Sequence, residues 1–272
     1  MKQRQVIVSG ATGFIGQHLV PLLVNDGFEV VAICRDKAKA AKFEWHDKVQ
    51  WHFLNYHRET LNFAPESNAG LIHLAWQGLP NYADEFHIFE NLPKNYAFIK
   101  TLVDAGVKQV LAVGTCLEYG FQYGPLSTSM ITKPSTAYAI AKNRLREQLA
   151  LFQKQNNFTL QWARLFYMYG KGQNPKSILA QLDAAIDRGD PTFNMSGGEQ
   201  LRDYLTVEQV VKQLFQIFVQ SEGGISNVCS GEPISIRRLV EQRIAERNSV
   251  IKMNLGYYPY PDYEPMAFWG ER

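Results

Sequence analysis

The sequence predicts an α/β fold: a doubly wound parallel sheet of Rossmann type with a smaller C-terminal lobe. Three observations predict it. A short apolar, β-branched run, Val6-Ile7-Val8, leads into Gly10, Gly13 and Gly16 at spacing three, then into residues 17–23 with apolar positions at helical spacing. Five more compact apolar runs follow, alternating with helical patterns as far as residue 166. Runs without polar alternation suit strands buried on both faces, and strands alternating with helices build parallel sheets. Beyond residue 166 the alternation thins, and glycines, prolines and aromatics become frequent.

Strand, glycine turn and helix, in that order, form the setting of a dinucleotide-binding motif. Gly10 permits the tight turn, Gly13 lets backbone N–H groups approach a pyrophosphate, and Gly16 lets the helix pack against the strand. The pyrophosphate would rest on the helix N-terminus, where unpaired N–H groups and the macrodipole favour an anion. Thr12, Phe14 and Ile15 lie in the same loop and join the glycines as candidate cofactor contacts.

The second strand is expected at residues 28–34, with Arg35, Asp36 and Lys37 directly after it and Lys39 and Lys42 close behind. In a doubly wound sheet this strand end meets the adenosine ribose. An acid there accepts from both ribose hydroxyls and favours NAD. An arginine suits a 2′-phosphate and favours NADP. Arg35 therefore points to NADP, with NAD kept open by Asp36, and a merely solvated basic helix face is the competing reading. Residues 51–54 read as a third strand and 71–75 as a fourth, followed by Trp76 and Gln77 at the carboxyl end where such sheets bind ligands. The six histidines make no recognisable metal spacing, so no metal is expected. Residues 91–105 carry a helical pattern closed by Gly106, and 107–113 form a fifth strand running into Gly114-Thr115-Cys116-Leu117-Glu118-Tyr119-Gly120. Pro134 precedes a helix over 135–153, in which Tyr138 and Lys142, four apart, share one face. The sixth strand is expected at 160–166. We divide the chain into a dinucleotide-binding domain, 1–166, and an interleaved substrate-binding lobe, 167–272, truncated or naturally short at its end. Within the lobe, 195–204 suggests a hairpin followed by a charged anchor, and 207–219 and 236–245 suggest amphipathic helices.

The 272 residues can bury a substantial core. With 46% hydrophobic and 20% charged residues and a net charge of +2, nothing argues for a nucleic acid or a membrane as partner. Three scattered cysteines make no disulfide framework, which points to a reducing cytoplasm. No apolar run approaches the length of a transmembrane helix.

With Gly10/Gly13/Gly16, Thr115 and Tyr138/Lys142 assembled, the chain resembles the extended short-chain dehydrogenase/reductase family. More narrowly it is similar to the NAD-dependent epimerase/dehydratase branch acting on nucleotide-sugars. That resemblance implies that Tyr138 is the general acid/base, that Lys142 binds the nicotinamide ribose and lowers the tyrosine pKa, and that Thr115 hydrogen-bonds the reacting oxygen. It places Leu74 and Ala75 along the cofactor and Asn91 at the active-site helix. Arg202, in Arg202-Asp203-Tyr204, matches an arginine that holds the substrate diphosphate, with a structural Arg202–Asp203 salt bridge as the alternative. Trp76, Gln77 and Tyr167 would complete the substrate contacts.

Departures are as informative. Asn55 stands where the branch often has an aspartate near the adenine, and Tyr167 where it has an asparagine. Cys116 and Leu117 occupy the positions of the Asp-Glu pair that dehydratases use to eliminate water, and Glu118, if on a strand end, would face away. The expected activity is NAD(P)H-dependent reduction of a nucleotide-linked 4-keto-6-deoxyhexose. An epimerase with bound NAD and a non-catalytic NADP(H) sensor are the alternatives. Relatives pair two helices into a two-fold bundle, and Ile99, Leu102, Leu145 and Leu149 could face a partner or simply pack inward; a homodimer is expected.

Overall fold

The computed structural model describes residues 4–61, 63–262 and 264–272. The chain runs β1 (Gln5–Ser9), α1 (Gly16–Asn25), β2 (Glu29–Cys34), α2 (Lys37–Ala40), β3 (Gln50–Phe53), β4 (Gly70–His73), α3 (Leu92–Asp104), β5 (Gln109–Thr115), β6 (Gly124–Leu126) and α4 (Ala137–Gln153). It continues through β7 (Thr159–Leu165), β8 (Tyr167–Tyr169), α5 (Ile178–Arg188), β9 (Thr192–Asn194), β10 (Leu201–Thr206), α6 (Val207–Gln220), β11 (Gly224–Val228), β12 (Pro233–Ser235), α7 (Ile236–Glu246), β13 (Lys252–Asn254) and β14 (Phe268–Gly270).

Seven strands form the main sheet in the order β11-β7-β5-β4-β1-β2-β3, every pairing parallel. Its apolar runs are buried on both faces because successive side chains point to opposite sides. Ile7, Val31, Leu71 and Val110 pack under α3 and α4. Val6, Val8, Val30 and Ile72 pack under α1 and α6. The chain winds outward from β1 to β3, then returns to β4 on the other side of β1, so a crevice opens at the carboxyl ends of β1 and β4.

After Leu165 the chain leaves this sheet, yet it comes back. Helix α6 packs on α1, and β11 pairs with β7 in register from Gly224 with Gln161 to Val228 with Leu165. Nothing in Gly-Ile-Ser-Asn-Val announces a strand, which is why six were expected and seven are found. The lobe itself is a small sheet, β12-β10-β8, packed with α5 and α7 around Leu179, Leu182, Phe193, Leu239 and Val240.

Two expectations are corrected. No hairpin forms at 195–204: residues 195–200 have no regular structure, and β10 pairs with β8 in parallel and with the distant β12 antiparallel. Ile99, Leu102, Leu145 and Leu149 are each 0% exposed and belong to the chain's own core, so they offer no face to a second copy. Among the described residues no helix is long and apolar enough to cross a membrane.

Candidate active site

A cleft of about 1260 Å³ runs from the glycine loop, past the ends of β4 and β5, to the lobe. It brings together Gly10, Thr12, Gly13, Phe14, Ile15, Gly16, Arg35, Leu74 and Ala75 at one end, Thr115 and Tyr138 in the middle, and Trp76, Gln77, Tyr167 and Arg202 toward the lobe. Most residues singled out from the sequence thus line one continuous space. Lys142, Asn55 and Asn91 do not reach its wall.

The glycine loop is shaped for close approach. Gly10 has φ +72°, where a side chain is strained, and a Cβ on Gly16 would lie 2.3 Å from the Gly10 carbonyl oxygen. No side chain caps the N-terminus of α1 and no acidic residue sits in its first turn, so its N–H groups remain open to an anion. The cradle fits a dinucleotide pyrophosphate. At the end of β2, Arg35 is exposed and lines the cleft. Asp36 is otherwise engaged, since its carboxylate accepts the Lys39 N–H at 2.9 Å and caps α2. Asn55 is likewise spent on its own turn, accepting from the His57 N–H, while Leu54 and Tyr56 line the cleft instead.

Tyr138 enters the site because Thr136 caps α4, accepting from the Ala139 N–H at 3.2 Å, which sets the first turn against the cleft. Its ring is walled by Tyr82, His87 and Trp76 at centroid distances of 5.5, 5.3 and 6.0 Å. Burial raises the Tyr138 pKa far above that of a free phenol. The negative potentials of Tyr82, Glu118 and Cys116 add to this, and a hydrogen bond with Thr115 opposes it. Lys142 is expected to lower this pKa, but here it does not prevail. Its ammonium donates to the Val113 carbonyl at 2.8 Å and lies 4.0 Å from the Trp76 ring centroid but 6.0 Å from that of Tyr138. Burial brings Lys142 itself down to about 7, with Glu118 pulling the other way. The phenol is therefore held protonated, the form required of a proton donor.

Thr115 ends β5 and opens a tight turn. The Glu118 carboxylate accepts the Thr115 N–H at 2.8 Å and the Leu117 N–H reaches the threonine hydroxyl. Glu118 does face away from the cleft, but from this turn rather than from a strand. It is fully buried and pairs with Arg164 at 2.9 Å and with the Trp162 indole. Asn91 works from beneath, donating to the Gln77 carbonyl at 2.8 Å and to His87 at 3.1 Å, and so fixes the loop that carries Trp76 and Gln77.

Arg202 departs most from expectation. Its partner is not Asp203, which accepts backbone N–H groups of Ser230 and Gly231 at 2.6 and 2.9 Å. Four of the five guanidinium N–H groups are already used, two by Glu264 at 2.8 and 3.2 Å and two by the carbonyls of Leu201 and Met266. Its guanidinium also lies over the Phe268 ring at 4.4 Å. It keeps one N–H for a diphosphate, and a bidentate grip would require releasing Glu264. Sequence reasoning missed Glu264 because it lies 62 residues from its partner and outside any motif. Among the described residues no group of His, Cys, Asp and Glu could hold a metal.

A parallel sheet with a glycine cradle at its switch point and a threonine–tyrosine pair in the adjoining cleft defines a dinucleotide-dependent enzyme of the extended short-chain dehydrogenase/reductase type. The chain belongs to the NAD dependent epimerase/dehydratase family, whose model matches residues 6–229. It is 32% identical over 270 residues, 98% of this chain and 99% of the other, to dTDP-6-deoxy-L-talose 4-dehydrogenase (NAD(+)) of Aggregatibacter actinomycetemcomitans. It is 26% identical to CDP-abequose synthase of Salmonella typhimurium, over 78% of this chain and 69% of that one. Among solved structures, MoeE5 in complex with UDP-glucose and NAD, and with UDP-glucuronic acid and NAD, shares the fold. Each comparison gives a TM-score of 0.80 and 24% identity over 98% of this chain and 89% of that one.

Proposed function

We propose that this protein interconverts the 4-keto and 4-hydroxy forms of a nucleotide-linked 6-deoxyhexose. One observation carries the reading: Thr115 and a protonated Tyr138 meet in the glycine-lined cleft, while Cys116 and Leu117 leave the dehydratase acid/base pair missing. Hydride transfer is reversible, so a ketoreductase and a 4-dehydrogenase such as the 32%-identical relative describe one site run in two directions. A nicotinamide cofactor, when bound, supplies or takes up the hydride. Tyr138 gives its proton to the developing alkoxide, and Thr115 offers a second hydrogen bond to that oxygen. Gly10, Gly13 and Gly16 with the open end of α1 would hold the pyrophosphate, and Lys142, which the Val113 carbonyl and Trp76 hold behind the cleft wall, is the residue we assign to the nicotinamide ribose.

Two observations pull on the choice of dinucleotide. Arg35 is free at the end of β2 while Asp36 is committed to capping, which supports NADP. The 32%-identical relative is named for NAD(+). We propose that Arg35 recruits the 2′-phosphate and that NADP(H) binds more tightly. The test of the function is incubation with dTDP-6-deoxy-L-talose and other nucleotide-linked 6-deoxyhexoses together with NAD+ or NADP+, following nicotinamide absorbance. Cofactor reduction coupled to a new 4-keto sugar is expected. Inversion of the sugar without net cofactor reduction would assign an epimerase instead, and no sugar turnover would refute the reading.

A further inference from the structure

The lobe end of the cleft holds a carboxylate that the proposed function does not use. Glu264 is 8% exposed, faces the same cleft as Thr115 and Tyr138, and bridges two residues far apart in sequence. One oxygen takes both of its bonds from Arg202, and the other accepts the Tyr167 phenol. Its negative charge also raises the pKa of Cys116, the residue directly after Thr115, and of Tyr204. Glu264 therefore lies within electrostatic reach of the turn that follows Thr115. Its segment is carried there by β14, which pairs with β6, and by the Met266 carbonyl, which accepts from Arg202 and from the Leu201 N–H.

We infer that Glu264 is a specificity-determining residue that selects a neutral hexose and rejects an acidic one. The inference rests on the nucleotide-sugar reading given above and names the sugar class within it. A carboxylate is an acceptor with spare lone pairs, suited to a sugar hydroxyl. It has already consumed the neighbouring cation, since Arg202 has one N–H left, and the other cation on the lobe side of the cleft wall, Lys176, is exposed and screened by solvent. A second carboxylate brought against Glu264 in a partly dry site meets like-charge repulsion and leaves its own solvation unreplaced. Discrimination is thus built as a penalty on the wrong ligand as much as an attraction for the right one. Tyr167 serves the same arrangement. Its phenol, held protonated by burial and by the Glu264 charge, donates to Glu264 and fixes the carboxylate from the side opposite Arg202.

The matched ligands UDP-glucose and UDP-glucuronate differ at the sugar by one charge and test this in binding alone, without turnover. Calorimetric titration of the protein saturated with NADP+ is expected to show UDP-glucose bound at least tenfold more tightly. Glu264→Gln, which keeps the length and an oxygen that accepts from Arg202, is expected to narrow that ratio about tenfold or reverse it, because the like charge is gone and the Arg202 charge is no longer neutralised. Glu264→Asp is expected to retain the wild-type ratio, and thermal melts of all three separate loss of fold from loss of selectivity. Equal weakening of both ligands by Glu264→Gln, or an unchanged ratio, would overturn the inference and leave Glu264 a fastening of the C-terminal segment. A wild-type protein that binds neither of these ligands nor dTDP-6-deoxy-L-talose would overturn the nucleotide-sugar reading itself.

Discussion

Tyr138 shows how burial and hydrogen bonding compete at one residue. Desolvation wins, the phenol stays protonated, and only Thr115 opposes it. Tyr138→Phe keeps the ring against Trp76, Tyr82 and His87 and removes only the proton donor. Turnover should fall about 10²–10⁴-fold with dinucleotide affinity nearly unchanged, as measured by steady-state kinetics beside a fluorescence titration of NADH or NADPH. Arg35→Ala should weaken NADPH about ten- to a hundredfold and leave NADH within a few-fold. A wild-type protein that prefers NADH would return Arg35 to stacking on adenine. His73 supplies the pH dependence. It is fully buried between the Ser9 hydroxyl at 2.8 Å and the Asn95 amide oxygen at 2.6 Å, and burial depresses its pKa to about 3. The unfolded chain binds that proton near pH 6.5 and the folded one only near pH 3, so between those values the unfolded state holds more protons and stability drops as the pH is lowered. At pH 5 His73 alone should cost about 2 kcal/mol relative to neutral pH. His57 and His87, also depressed by burial, act in the same direction. Urea unfolding at pH 7 and pH 5 checks this, and an unchanged midpoint would show that His73 is charged in the fold.

At the scale of elements, the junction of β1 and α1 concentrates the backbone demands of the whole motif. The Gly10 and Ala11 carbonyl oxygens would lie 2.3 and 2.6 Å from a Cβ on Gly16. Both obstacles are backbone and cannot rotate away. Gly16→Ala should therefore push α1 off β1, reduce dinucleotide affinity by at least tenfold and lower the melting temperature, both readable in one thermal-shift experiment with and without cofactor. The turn after β5 is built on the same logic with side chains: the Glu118–Thr115 capping arrangement places the threonine hydroxyl, and the buried Arg164 neutralises the carboxylate that does so. Helices α3 and α4 turn Ile99, Leu102, Leu145 and Leu149 onto the sheet, where all four are fully buried.

Over the whole molecule, the C-terminal strand ties the lobe to the catalytic domain. Phe268 is 3% exposed, lies beneath the Arg202 guanidinium and neighbours Phe166 and Tyr167. The Gly270 N–H reaches Asp203 at 3.3 Å, and β14 closes on β6. Phe268→Ala should cost about 3–5 kcal/mol in chemical denaturation and loosen Arg202 and Glu264 together. A loss under 1 kcal/mol would mean that this strand is not part of the cooperative core.

What the sequence alone determined is whatever a local pattern can encode. The apolar runs of β1, β2, β4 and β5, the glycine triplet, and the Tyr138–Lys142 spacing on α4 are each set by neighbours within a few residues, through strand burial, positive φ and helix periodicity. The family and most of the cleft wall followed from them. Only the tertiary structure decided the rest. Which partner Arg202 takes depended on a carboxylate 62 residues away, brought in by β14. Whether Lys142 perturbs Tyr138 depended on Trp76 and the Val113 carbonyl competing for its ammonium. Whether Gly-Ile-Ser-Asn-Val is a strand depended on an open edge at β7, which supplies the hydrogen bonds that its own composition does not demand. Charges and edge strands choose partners across the chain by distance in space, and distance in space is not written into any short stretch of sequence.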